Sequence, residues 1–328
     1  MFPTIKIGIF SLPLFQLCIF LGLIAYIITV ICITEKKEKV ERKTVNQILV
    51  ASALGIAVLY IFAFVLNSIF HSIKNEKITI GGITWLGGIL FALPITAVLL
   101  HIFCTRKKGY ALTYLNLIIP ALVIAHAFGR IGCFFGGCCY GKITGGFLGI
   151  SFPPHSLAAH SQAAEGLIQH GEWSLPVYPT QLFEAAFELL LFTAMLIFYK
   201  RLKNHFVETY CFSYGIFRFI LEFYRGDNRG SVGFALSPSQ VMSALLIILG
   251  VLLLLYHKNC IFKKLKIQVR NWQSETERYG IHVSTTVRSS IKKLEELKNC
   301  GCITDEEYAH MKKLLDERIA VYQKKNKD

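Results

Sequence analysis

ALTYLNLIIPALVIAHAFGRIGCFF, residues 111–135, decides the fold. Over these 25 residues Arg130 is the single side chain that always carries charge, and the rest is overwhelmingly apolar. About 20 apolar residues in a helix suffice to cross the hydrocarbon core of a bilayer. Six further runs of comparable length and low charge flank it, at 11–33, 47–70, 83–103, 180–199, 206–224 and 238–256. A chain of 328 residues that is 53% hydrophobic and only 17% charged is hard to keep soluble as a globule of that size. The expectation is an all-α polytopic membrane protein with about seven transmembrane helices. The first run is long, and its lysine cluster follows rather than precedes it, so it reads as a retained helix and not a secretion signal.

Charge between the runs sets the orientation. Loop 34–46 holds five Lys and Arg, and loops 104–110 and 200–205 hold three each. The alternate loops 71–82, 136–179 and 225–237 hold two, one and two. Basic residues stay on the cytoplasmic side, which puts the N-terminus outside and the C-terminus in the cytoplasm. The same rule accounts for the net charge of +14, since 16 of the 35 basic residues follow Tyr256. A nucleic-acid partner is not needed to explain it.

Three parts are expected along the chain: a membrane domain at 1–258, a basic linker at 259–287 and a cytoplasmic tail at 288–328. Within the tail, IKKLEELKNCGCITDEEYAHMKKLL (291–315) reads as two amphipathic helices broken at Gly301. Glycine suits the left-handed position after a helix, and Thr304 with Glu307 makes a capping box for the next. The segment resembles the short helical-hairpin (SHOCT-like) domain at the C-termini of many bacterial proteins. That resemblance implies self-association or docking.

Ionisable residues in hydrocarbon cost at least about 2.5 kcal/mol each on insertion scales, so those inside the runs are functional suspects. His126, Arg130 and Cys133 recur at i, i+4 and i+7 and share one helix face. Gln181, Glu184 and Glu188 form a second stripe, and Tyr214, Arg218, Glu222 and Arg225 a third. By the loop charges, Arg130, Gln181, Glu184, Arg218 and Glu222 all fall in the outer half of the membrane. Two readings fit. One is a set of structural ion pairs, such as Glu184 with Arg130 and Glu222 with Arg218. The other is an anion site, because two arginines at one depth present planar forks to phosphate oxygens.

The run GRIGCFFGGCCYG (129–141) closes the fourth helix, and reads either as irregular backbone that lines a cavity and lets a ligand approach closely or as a small-residue helix-packing face. Its Cys133, Cys138 and Cys139 form the one cysteine cluster, open to three readings: inert packing, a disulfide or redox pair, or direct thiol chemistry. Cys18, Cys32, Cys104 and Cys211 read as packing residues. His155, His160 and His170 in the longest loop match no standard metal-ligand spacing. No metal is expected.

With those residues in view, the chain resembles the bacterial prolipoprotein diacylglyceryl transferases. The resemblance rests on HAFGRIGCFFGGCCYG (126–141), YPTQLFEA (178–185) and YGIFRFILEFYR (214–225), three motifs in the family's order. It implies transfer of the diacylglyceryl group of phosphatidylglycerol to the lipobox cysteine thiol of prolipoproteins at the outer face of the cytoplasmic membrane, without metal or organic cofactor. Arg130 and Gly141 match positions of the family's signature run, and Tyr214, Arg218 and Glu222 its sixth-helix motif; together with the stripes this gives Arg130, Gly141, Gln181 and Glu184 as the expected substrate-binding residues and Tyr214, Arg218, Glu222 and His126 as the expected catalytic ones. Glu222, Glu184 and His126 are the candidates for taking the thiol proton.

The match departs from the family pattern at several polar positions. Cys133 stands where asparagine is usual, Cys138 where glutamate is, and Leu86 where a histidine precedes Gly-Gly. Phe15 or Gln16 occupies the place of a first-helix tyrosine. Two competing functions remain at this level: a phospholipid-binding or scaffold relative that has lost catalysis, and a transporter. The inner halves of the runs carry almost no charge, which weighs against a transport path.

Overall fold

The computed structural model describes residues 4–7, 10–75, 78, 80, 84–104, 110–227, 236–257, 291, 294, 295, 298 and 305–325. The chain divides into two compact units, Met1–Gly250 and Val251–Asp328.

The first unit opens on a feature absent from the hydropathy reading, an antiparallel hairpin of β1 (Thr4–Ile7) and β2 (Phe10–Pro13) with Ile7 opposite Phe10. α1 (Leu14–Ile31) follows at once and ends in a π turn, Cys32–Lys37. Next come α2 (Arg42–Asn75), α3 (Trp85–Cys104) and α4 (Tyr110–Gly136). The long loop folds around a short helix, α5 (Leu157–Ala164), whose Ser156 N-cap hydroxyl accepts from Ala159 N–H at 3.2 Å. α6 (Thr180–Ile197), α7 (Tyr199–Leu202), α8 (Phe206–Leu221) and α9 (Pro238–His257) complete the set.

Among the described residues, six helices are long and apolar enough to cross a membrane: α1 with its π turn, α2, α3, α4, α6 and α9. The expected span 206–224 falls short as a single α-helix. α8 has 16 residues and passes into a 3₁₀ turn, Glu222–Tyr224, after which Arg225 is extended (φ −75°, ψ 140°). The reason is a contact distant in the chain: Arg225 makes a β-bridge with Gly141, and that pairing pulls the chain out of the helix. Large apolar side chains on the outside, among them Phe20, Ile61, Ile102, Leu190 and Ile248, fit a protein whose solvent is lipid.

With lipid outside, helices gain little by burying apolar area and associate through close backbone approach instead. α2 packs along α3, α1 along α4, and α4 against α6. Glycines make the first two contacts possible. A Cβ on Gly88 would lie 2.4 Å from Leu59 O, and one on Gly22 would lie 3.1 Å from Ala125 O. Buried polar ties fix the ends: Asn116 on α4 donates to Asn204 O (3.0 Å) and accepts from Val207 N–H (2.9 Å) at the start of α8. Lys203 Nζ and Tyr199 OH both reach Glu38 Oε1, at 3.0 and 2.9 Å, and bind the α1–α2 connection to the end of α7.

Over one end of the bundle, the segment between α4 and α6 makes a small cap. Tyr140, Phe152, Ala158 and Val177 form its core, and Val177 bridges both Ile143 and Ile150. His155, His160 and His170 are exposed on it.

In the second unit, α10 (Asp305–Lys325) is the expected second helix of the tail. Lys298 pairs with Asp305 (3.1 Å) and lies 4.7 Å from the centre of the Tyr308 ring, while Leu294 and Leu315 are buried. The linker 259–287, Gly301 and Thr304 lie outside the described residues.

The glycine contacts make a graded prediction. Gly88→Ala must displace the α2 backbone and should destabilise the protein by about 1–3 kcal/mol, the usual range for overpacking. Gly129→Ala, whose nearest neighbour would be Ile19 Cδ1 at 3.9 Å, should be neutral. Thermal unfolding of detergent-solubilised protein checks the order, and equal melting temperatures for the two variants would contradict it.

Candidate active site

The three polar stripes meet at one carboxylate. Glu184 Oε1, on the second turn of α6, lies 3.0 Å from Arg130 Nη2 of α4 and accepts the hydroxyl of Tyr214 of α8 at 2.7 Å. His126 Nε2 stands 3.8 Å away and Arg218 Nε 4.0 Å. Glu184 is 0% exposed, Arg218 2% and Arg130 6%, so these charges are out of reach of bulk water and must be balanced by one another. Both ion pairs suggested by sequence spacing form: Arg130 with Glu184, and Arg218 Nη1 with Glu222 Oε2 at 2.7 Å.

His126 is fixed on every side. Its Nδ1 is 2.8 Å from Glu188 Oε1, and its Nε2 accepts from Arg130 Nε at 3.1 Å. An arginine Nε–H can only donate, so Nδ1 carries the ring proton and offers it to Glu188. Trp85 stacks on the imidazole (4.5 Å between centres) and the Tyr214 ring meets it edge-on (5.1 Å). Both nitrogens are therefore committed, Nδ1 to Glu188 and Nε2 to Arg130. Trp85 was not among the residues singled out in the sequence, where it reads as one more apolar position beside Leu86, itself buried in α3.

Glu222 is different. Its 2.7 Å approach to Arg218 is too poorly aligned to count as a hydrogen bond, so Glu222 Oε2 and Arg218 Nη1 both keep unused hydrogen-bonding capacity. Arg218 Nη2 donates to Ser239 Oγ of α9 at 3.1 Å, a partner that hydropathy does not reveal. Glu184 Oε2 is likewise buried without a hydrogen-bond partner. A buried site with unspent acceptors and a guanidinium nitrogen is furnished for polar substrate groups.

Gln181 does not face this centre. Its Nε2 donates to Cys138 O at 2.6 Å, and Thr180 Oγ1 donates to Cys139 O at 2.8 Å, so the start of α6 grips the turn after α4. Gly141 is a packing requirement. Its N–H donates to Tyr178 O (2.8 Å), and a Cβ there would meet Tyr178 O at 2.7 Å and Tyr224 O at 2.8 Å. It seals the cap onto the ends of α6 and α8. Arg225, expected on the α8 stripe, leaves it with the chain and forms a bidentate pair with Asp227 at 2.8 and 2.9 Å. Burial opposes the Arg225 charge, but the Asp227 carboxylate outweighs it and raises the guanidinium pKa further. Burial also pushes the Asp227 carboxyl up despite that partner.

Cys133, Cys138 and Cys139 do come together. Hydrogen bonds from Cys133 and Cys138 outweigh burial and, with Arg225 and Arg130 nearby, hold the Cys139 thiol well below the ordinary range. Cys138 is pushed up to about 12, since its interaction with Cys139 and its burial outweigh the hydrogen bond from Cys133.

Comparison with known proteins bears on this arrangement. The family model described as prolipoprotein diacylglyceryl transferase matches residues 3–256. Phosphatidylglycerol–prolipoprotein diacylglyceryl transferase 2 of Clostridium perfringens is 37% identical over 171 residues, 51% of this chain and 61% of that protein. The Clostridium tetani phosphatidylglycerol–prolipoprotein diacylglyceryl transferase is 31% identical over 242 residues, 70% of this chain and 87% of the relative. The Streptococcus uberis protein of the same name is 26% identical over 263 residues, 78% and 94% of the two chains. The chain spans about three fifths of the length of the first of these relatives and most of the other two. With three motifs converging on one buried centre and a match over 3–256, this chain belongs to the prolipoprotein diacylglyceryl transferase family.

Proposed function

We propose that this integral membrane protein transfers the diacylglyceryl group of phosphatidylglycerol to the lipobox cysteine thiol of prolipoproteins. The single observation that carries the reading is the pair of buried arginines, Arg130 and Arg218, held on either side of Glu184 within the membrane domain of a family member. The substrates come from the names of the relatives.

In this reaction the thiolate sulfur bonds to the glyceryl carbon, the carbon–oxygen bond to phosphate breaks, and glycerol phosphate leaves with the electron pair. Charge develops on phosphate oxygens, and preorganised cations in a water-poor site stabilise it without reorganising. Arg130 spends Nε on His126 and Nη2 on Glu184, which leaves Nη1 for the phosphate. Arg218 brings Nη1, which keeps its capacity to donate. Glu222 takes the thiol proton: its Oε2 has unused acceptor capacity and it faces one arginine, while Glu184 is engaged as the counter-ion of two and both His126 nitrogens are committed. Tyr214 and Glu184 hold the two arginines in register.

The loop charges support an N-terminus outside and a pocket open to the outer leaflet of the bacterial cytoplasmic membrane. They also support α8 as a seventh span. Sixteen α-helical residues rise about 24 Å and the 3₁₀ turn adds about 6 Å, together near the thickness of the hydrocarbon core. The tail helix α10 supplies a cytoplasmic docking or self-association element.

Two predictions follow from these roles. With acyl-labelled phosphatidylglycerol and a lipobox peptide, Arg130→Ala and Arg218→Ala should each lower transfer by at least about 100-fold, as loss of a transition-state donor does. Arg218→Lys should recover little, because an ammonium lacks the planar fork. Undiminished transfer in either alanine variant would sink the clamp, and no transfer by the wild-type protein with the lipid still bound would favour a binding or scaffold protein. Glu222→Gln should cut kcat by about 10²–10⁴-fold with KM for the lipid little changed. A change confined to KM would make Glu222 a binding group and not the base.

A further inference from the structure

Cys133, Cys138 and Cys139 place their sulfurs within 4.8 Å of one another at the end of α4. The backbone brings them there. Gly137, at φ +64°, ends the helix, and Cys139 takes the same left-handed region at φ +61°. Cys138 N–H then bonds back to Cys133 O at 3.2 Å, so the two later thiols fold over the earlier one. The turn is held from outside by groups other than sulfur: Gln181 on Cys138 O, Thr180 on Cys139 O, and Gly141 on Tyr178 O. None of the three thiols has a part in the transfer chemistry derived above.

We propose that Cys133, Cys138 and Cys139 form a three-thiolate site for a thiophilic d¹⁰ cation, Zn²⁺ or Cu⁺. Thiolate is the ligand that selects these ions. A metal–sulfur distance of about 2.3 Å places three sulfurs about 4 Å apart around one ion, which needs less than about 1 Å of contraction from the present spacing. Three thiolates around a mono- or divalent ion leave a net negative charge. Arg130 and Arg225 both act electrostatically on this cluster and offset it. Each protonated thiol gives up its proton as it ligates, so binding releases protons and weakens in acid. Cu⁺ is satisfied by three sulfurs; Zn²⁺ keeps a fourth position for water or another small ligand. The site stands or falls independently of the transferase reading.

The test uses the full chain in detergent, reduced and freed of metal with a chelator. Zn²⁺ is titrated against a chromophoric competitor, Cu⁺ likewise under anaerobic conditions, and Co²⁺ serves as an optical probe through its thiolate charge-transfer bands. One ion per chain is expected, with an X-ray absorption shell of three sulfurs. Cys133→Ser, Cys138→Ser and Cys139→Ser should each weaken binding by at least about 100-fold, since loss of a ligand costs no less than loss of the groups that orient one. Cys32→Ser, on an exposed thiol elsewhere, should change nothing. Size-exclusion elution matching the parent shows that the serine variants fold. Stoichiometry no higher in the parent than in the triple serine variant would overturn the site, as would a disulfide within the trio mapped in protein taken from membranes without reductant.

Discussion

The buried charges of α4, α6 and α8 gather around one oxygen, Glu184 Oε1. Two arginines within a few ångströms of each other in a medium of low dielectric constant repel strongly, and because a guanidinium keeps its charge a counter-ion must lie between them. Glu184 supplies it, touching Arg130 at 3.0 Å and approaching Arg218 at 4.0 Å, while the Tyr214 hydroxyl fixes the carboxylate's orientation. Because those partners sit on α4 and α8 and the carboxylate on α6, satisfying the charge is the same act as bringing the three helices together. Breaking one member of such a buried pair costs about 3–5 kcal/mol, chiefly because the other is left unpaired.

The same arrangement prepares the chemistry. In the proposed reaction the site receives a phosphodiester and releases a phosphate monoester, which calls for cations whose own compensation is fixed before the substrate arrives. Arg130 is held at Nε and Nη2, and Arg218 at Nη2, so what each offers the substrate has a set direction. The cap seals the end of this site through Gly141, which leaves no room for a side chain between Tyr178 and Tyr224. Cys133, in the last turn of α4, and Cys138, in the turn after it, stand where the resemblance leads one to expect asparagine and glutamate, and the ion pair of Arg130 with Glu184 forms without those groups.

Much of this was legible in the sequence because it follows from periodicity and hydropathy. Helical spacing alone put His126 with Arg130, Gln181 with Glu184 and Tyr214 with Arg218 on common faces, and the pairings Arg130–Glu184 and Arg218–Glu222 follow from shared depth. What escaped depends on contacts distant in the chain. Trp85 stacking on His126 and Ser239 accepting from Arg218 come from helices whose sequences read as plain apolar runs. Arg225 was placed on the α8 stripe because nothing local signals that a β-bridge to Gly141 ends the helix. The partner that His126 Nδ1 finds, Glu188, is likewise 62 positions away.

The central claim, that Glu184 is the counter-ion on which the arginine centre and the packing of α4, α6 and α8 both depend, is tested most directly by a double-mutant cycle on unfolding free energy in detergent. The members are Glu184→Gln, Arg130→Gln and the double variant. The account predicts a coupling of at least about 1.5 kcal/mol, the double variant losing far less than the sum of the singles because neither charge is left alone. Additive losses, or single variants as stable as the parent, would contradict it.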